Sequence, residues 1–97
     1  MTAKKVIVFS RNGYTEKHDD LLNRLIDEKI LLFCAVGKDC KLYEEIMDEL
    51  FVGKGDERDF DLITTSHPDE TLDDVIQFAE MVDIAEIDNE KIKIIEV

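Results

Sequence analysis

Seven apolar residues in a row, Ile30-Leu31-Leu32-Phe33-Cys34-Ala35-Val36, constrain this chain more than any other feature. A strand with one face in water alternates apolar and polar side chains. An unbroken run bounded by Lys29 and by Gly37-Lys38-Asp39 instead fits a strand buried on both faces. Val6-Ile7-Val8-Phe9 is a shorter run of the same kind. Such strands need helices above and below them, and helical patterns follow both runs. Leu21, Leu22, Leu25 and Ile26 form a stripe at helical spacing within residues 17–28. Asp39 stands at the N-cap position of a second helix. That helix gathers Tyr43, Ile46, Met47, Leu50 and Phe51 on one face, with Glu44, Glu45, Asp48 and Glu49 largely on the other.

Residues 60–65 read as a third strand, and a third helix begins near residues 69–71. Thr71 and Asp74 are spaced as a capping box, ahead of a stripe of Leu72, Val75, Ile76, Ala79 and Val82. After Ile84, Ile87 and an Asp88-Asn89-Glu90 turn, residues 91–97 form a fourth strand. Its interspersed lysines suit a sheet edge, and its direction stays open. Strands separated by helices imply right-handed crossovers and parallel pairing. The expected fold is therefore α/β: a single domain over residues 1–97, built as a compact three-layer sandwich. A mainly parallel sheet of three or four strands lies between three helices, its order starting 2-1-3. This is a truncated flavodoxin-like or half-Rossmann arrangement.

Composition narrows the function classes. The 97 residues are 44% hydrophobic and 37% charged, a globular rather than a disordered balance. Net charge is −12, and it is uneven. Residues 1–48 hold eight Lys/Arg against nine Asp/Glu, a net of −1, and residues 49–97 hold four against fifteen, a net of −11. The second half should repel nucleic acid and anionic membranes. The acids are read first as a solubility device, with a DNA-mimic inhibitor as an alternative. No apolar run approaches the roughly 20 residues of a membrane span. The apolar run after Met1-Thr2-Ala3-Lys4-Lys5 is too short for a signal-peptide core, so a cytoplasmic location is expected. Cys34 and Cys40 do not form a disulfide framework and suit free thiols.

In a parallel α/β sheet the carboxyl ends of the strands converge on one rim, where ligands bind. Here that rim should collect Ser10, Arg11, Asn12 and Gly13 from the first loop, Lys38 from the second, and Ser66 and His67 from the third. Helix N-termini aimed at the same rim would offer free N–H groups. Those residues are the candidate ligand site, for a phosphate or carboxylate. The expected function is a binding or regulatory domain that acts through a partner protein or a small anionic ligand. An enzyme alternative uses His67 with Ser66 or Cys40 as a small hydrolase or transferase. Sequence neighbours rarely assemble a triad, and no Gly-x-Ser-x-Gly elbow is present. Cys40, at a helix N-terminus, is in a position that lowers thiol pKa, which Asp39 opposes. His67, Asp69 and Glu70 lack a recognised metal spacing. Asp56, Glu57, Asp59 and Asp61 lack the glycine and closing Glu of an EF-hand. Gly53-Lys54-Gly55 is not a Walker loop. No metal and no cofactor is expected. Residues 91–97 could also pair two chains, leaving monomer or dimer open. His18 is expected to face solvent.

Two stretches resemble known families. Phe9-Ser10-Arg11-Asn12-Gly13-Tyr14-Thr15-Glu16 is similar to the flavodoxin phosphate loop, matching it at Ser10, Gly13, Thr15 and Glu16. Asn12 stands for the family's Thr and Tyr14 for its Asn. The resemblance implies phosphate held by Ser10, Thr15 and the N–H groups near Gly13. Flavodoxins are longer, however, and sandwich the flavin between aromatic loops, whereas this chain has no Trp. Thr64-Thr65-Ser66-His67-Pro68-Asp69-Glu70-Thr71-Leu72, continuing to Glu80, resembles small bacterial α/β proteins of unassigned function with a Thr-Ser-His-Pro-Asp-Glu corner. That resemblance implies the same fold and no catalytic residues.

Overall fold

A computed structural model of the chain describes residues 4–53, 62–82 and 92–97. Four strands, β1 (Lys5–Ser10), β2 (Leu32–Gly37), β3 (Ile63–His67) and β4 (Ile92–Glu96), form one sheet in which every pair is parallel. A 3₁₀ turn at Glu16–His18 leads into α1 (Asp19–Asp27), followed in the chain by α2 (Cys40–Gly53) and α3 (Leu72–Met81). The fold is α/β, as the alternating pattern requires.

The strand order is β3-β2-β1-β4, which corrects the expected 2-1-3 start. The first two crossovers step in the same direction, from β1 to β2 to β3. Right-handed connections therefore put α1 and α2 on one face. The third crossover returns across the sheet to the far side of β1, and α3 takes the opposite face. Covering both faces is the work of the third helix, not of the second.

Two cores result. Val6, Val8, Phe33 and Ala35 pack against Leu22, Leu25, Ile26, Tyr43 and Met47 on the α1/α2 face. Ile7, Leu32, Cys34 and Val36 pack against Val75 and Ala79 of α3. Alternate residues of β1 and β2 thus go to opposite cores, which is why both strands read as unbroken apolar runs.

Several boundaries differ from the sequence expectation for local reasons. β2 begins at Leu32, two residues into the apolar run, because Lys29 takes a left-handed φ of 61° that ends α1. Lys4 Nζ closes that corner, donating to the Glu28 and Lys29 carbonyls at 3.2 and 3.3 Å. β3 extends to His67, so Ser66 and His67 belong to the strand and not to the corner after it. At α3 the capping box forms as expected: Asp74 N–H donates to Thr71 Oγ1 and Thr71 N–H to the Asp74 carboxylate.

One feature had no signal in the pattern. Lys5 is fully buried on the α3 face. Its ammonium donates to the carbonyls of Ala79 and Val82, each at 2.6 Å. It thereby satisfies the carbonyl end of α3 and places positive charge at the negative pole of the helix.

Among the described residues no helix is long and apolar enough to cross a membrane. Phe60, Lys54, Gly55, Ile84, Ile87, the acidic run from Asp56 to Asp61 and the Asp88-Asn89-Glu90 turn lie outside the described residues.

Candidate functional site

The end of β1 is gripped from both sides. Lys38 N–H donates to the Ser10 carbonyl at 2.9 Å, and Arg11 N–H donates to the Val97 carbonyl at 2.9 Å. Gly37 has a φ of 95°, and a Cβ there would lie 2.2 Å from the Ser10 carbonyl oxygen. Only glycine lets the two strand ends approach this closely. Gly13, with a φ of 91°, turns the following loop back, and its N–H donates to Ser10 Oγ at 3.1 Å.

Asp39 completes the corner in an unexpected way. It is left-handed, with a φ of 61°. Its carbonyl accepts the Tyr43 N–H at 3.0 Å, as an N-cap carbonyl should. Its carboxylate reaches across to accept the Tyr14 N–H at 3.0 Å. The N–H groups of Gly13 and Tyr14, which would cradle an anion in a phosphate loop, are held by the Ser10 hydroxyl and by an internal carboxylate. Thr15 is exposed and precedes the 3₁₀ turn without a side-chain cap.

Beneath the loop lies an aromatic cluster. The Tyr43 hydroxyl is 3.2 Å from the Gly13 carbonyl and 2.5 Å from His18 Nδ1, and the His18 ring stacks on Tyr43 with centroids 5.7 Å apart. His18 is therefore half-buried and bonded, which corrects the expected solvent-facing position. Tyr14 meets Tyr43 edge-on, and its hydroxyl donates to the Asp19 carboxylate. That hydrogen bond raises the Tyr14 pKa to about 12, assisted by burial. Burial also pushes Tyr43 above its ordinary value; a Ser10 hydrogen bond opposes the shift and Asp39 reinforces it.

At β3 the alternation of a strand separates the residues that sequence places side by side. Ser66 faces α2 and donates to Glu44 at 2.9 Å, and Thr64 donates to Asp48 at 2.6 Å. His67 lies on the α3 face, against Phe78 with ring centroids 4.8 Å apart. Its Nδ1 is 2.9 Å from Glu70 Oε1 and its Nε2 is 2.9 Å from Thr65 Oγ1. Thr65 also lies beside the buried Cys34, its partner in the sheet register. The Thr65 hydroxyl stands between the Cys34 sulfur and His67 Nε2 and has a single proton to give. Burial pushes the Cys34 thiol up; the Thr65 hydroxyl and the Lys5 charge oppose it.

This chain of groups has the order carboxylate, imidazole, hydroxyl, but its hydroxyl is spent on an interior contact. Ser66 and Cys40, which the enzyme alternative pairs with His67, are on the other face of the sheet. Cys40 is buried among Tyr43 and Met47. No group of three or more His, Cys, Asp or Glu side chains is placed to hold a metal among the described residues.

Of the candidate ligand residues, the structure brings together Ser10, Arg11, Asn12, Gly13 and Lys38. Ser66 and His67 sit on β3, with β2 between them and β1, so that about 10 Å of sheet separates them from Ser10, whereas Lys38 follows β2, the immediate neighbour of β3. Arg11 turns over the Phe9 ring, 5.5 Å from its centroid, and pairs with Glu96 at 3.2 Å. Asn12 and Lys38 are exposed, and neither side chain has a hydrogen-bond or ion-pair partner among the described residues. Of the three described α-helices, α2 carries no acid in its first turn and the other two do. α1 begins with Asp19 and Asp20, and the first turn of α3 carries Asp73 and Asp74 behind its capping box.

The residues sequence reasoning missed are Lys5 and Glu44, together with the interior bonds of Thr65 and of the Asp39 carboxylate. Each acts on a neighbour far along the chain or on a face that only the register defines.

A family model described as a domain of unknown function (DUF7684) matches residues 1–97. The chain belongs to the DUF7684 family. This agrees with the resemblance of the Thr-Ser-His-Pro-Asp-Glu stretch to small proteins of unassigned function. No curated protein and no solved structure matches this DUF7684 chain.

Proposed function

We propose that this chain is a binding domain that works through a protein partner engaged at a sheet edge. The observation that carries the reading is how its polar groups are spent. Ser10, Tyr43, His18, Ser66, Thr65 and His67 all hydrogen-bond inside the molecule. Asp39 fills the loop that resembles a phosphate cradle. Both outer strands, β3 and β4, meanwhile leave one edge without a neighbouring strand among the described residues. Ile63 and Ile94 on those strands are 45% and 44% exposed. Open edges with exposed β-branched side chains are the raw material of strand addition.

A second reading is a small anionic ligand at the rim. It is favoured by Lys38 and Asn12, exposed and without a side-chain partner among the described residues, beside Ser10 and Gly13. An amide NMR titration with phosphate, a nucleotide mixture and FMN separates the two. The partner reading expects no saturating shifts at residues 10–13 or 38–40 up to millimolar ligand. Saturating shifts there, lost in Lys38→Gln, would replace it with the small-anion reading.

A further inference from the structure

We infer that the partner at β4 is a second copy of this chain, joined by antiparallel pairing of the two β4 strands centred on Ile94. The inference rests on the partner reading above and names its occupant. Val97 N–H donates to the Phe9 carbonyl and Val97 C=O accepts from Arg11, so both backbone groups of Val97 face β1. Alternation gives Ile95 and Lys93 the same direction. Ile92, Ile94 and Glu96 therefore turn their N–H and C=O groups outward, where no described strand meets them.

A two-fold axis perpendicular to the sheet keeps each side chain on its own face, so a residue must pair with one of like parity. Three such registers engage more than one of the outward residues of the described strand. Centring on Ile94 pairs all of β4: Ile94 with Ile94, Ile92 with Glu96, and Lys93 with Ile95. Each Ile94 then exchanges N–H and C=O bonds with its counterpart, and the two exposed side chains cover each other. Centring on Lys93 sets two ammonium groups directly opposite, which is destabilising. Centring on Ile95 leaves Ile92 without a described partner. The sequence of β4 thus selects one register.

Charge selects this edge over β3. The chain carries −12, so two copies repel at most of their surface. Along β3 stand Glu44, Asp48 and Glu70, bonded to Ser66, Thr64 and His67. Along β4 Lys93 balances Glu96, and Arg11 pairs with Glu96 from β1. Among the described residues two copies meet here with less repulsion than along β3, and added salt should tighten the contact by screening the remainder.

The test is sedimentation equilibrium of the full chain from micromolar to millimolar, at low and high sodium chloride, alongside amide exchange by NMR. The expected result is a dimer that strengthens with salt. On concentrating the sample, the Ile94 and Glu96 amides should slow at least tenfold. Ile95 and Val97, already bonded to β1, should stay protected throughout. Ile94→Lys should weaken the dimer by at least about tenfold, with an unchanged melting temperature in dilute solution. A dimer insensitive to Ile94→Lys, or protected at β3 instead, overturns the assignment. A chain that remains monomeric at millimolar concentration also overturns it. If the rim still ignores small anions in that case, the partner is a different protein. Saturating rim shifts would instead remove the reading on which the inference rests.

Discussion

Replacing Lys5 by Met tests how the α3 layer is fastened. The side chain is fully buried, and its ammonium donates to two carbonyls at 2.6 Å. Met fills nearly the same volume, so packing is largely conserved. What is lost is the pairing of the Ala79 and Val82 carbonyls, each left unsatisfied at about 1–3 kcal/mol. The favourable charge at the carbonyl end of α3 is lost as well, at up to roughly 2 kcal/mol in a partly buried geometry. Against this, burying a thioether in place of an ammonium returns part of the desolvation penalty. The net expectation is a destabilisation of about 3 kcal/mol. For a chain of this size that lowers the melting temperature by roughly 12–24 °C. Urea unfolding followed by far-ultraviolet circular dichroism should show a lower midpoint with an unchanged slope. A Lys5→Met protein within about 0.5 kcal/mol of wild type would refute the reasoning, because the carbonyl contacts would then add nothing beyond the cost of burying the charge.

Other expectations follow from single contacts. Gly37→Ala forces a Cβ to 2.2 Å from the Ser10 carbonyl oxygen at a φ of 95°, and should lose about 3 kcal/mol or more in chemical denaturation; a loss under 1 kcal/mol would mean the corner relaxes freely. Tyr14, raised to about 12, and Tyr43, also raised, favour the neutral phenol in the folded state. Their stabilisation is complete below the unfolded value near pH 10 and, for Tyr14, falls as pH rises through about 12. Ultraviolet titration should show Tyr14→Phe removing a late-ionising phenol, and an ordinary midpoint near 10 for Tyr14 would contradict the Asp19 bond. Cys34 and Cys40 are both buried, so a thiol reagent should label neither until the chain unfolds, and native labelling of either at a free-thiol rate would place it wrongly.

Much of the fold was written locally. The unbroken runs at Val6–Phe9 and around Phe33 announce strands buried on both faces, because the strand period sends alternate residues to two cores. The stripes at Leu22, Leu25 and Ile26 and at Val75 and Ala79 announce the helices. Thr71 with Asp74 announces where α3 starts, since a capping box closes within one turn. These signals depend on near neighbours along the chain.

The strand order and the site depend on distant ones. Whether β3 joins the outer edge of β2 or of β1 is a choice between two right-handed paths with the same local pattern. Tertiary packing made that choice, and it parted Ser66 and His67 from Ser10 while setting β3 beside the strand that leads into Lys38. The side chains of Ser66 and His67 look adjacent in sequence yet enter opposite cores through the strand alternation, once β3 is known to include them. Lys5 reads as a surface lysine until α3 returns over β1 and sets its carbonyl end above the ammonium. Asp39 reads as a cap until the first loop folds over it. Sequence by itself determined the elements and the buried faces, which rest on periodicity and short-range bonding. Tertiary structure alone decided which polar groups satisfy one another, because those pairings join residues that only the completed sheet brings within reach.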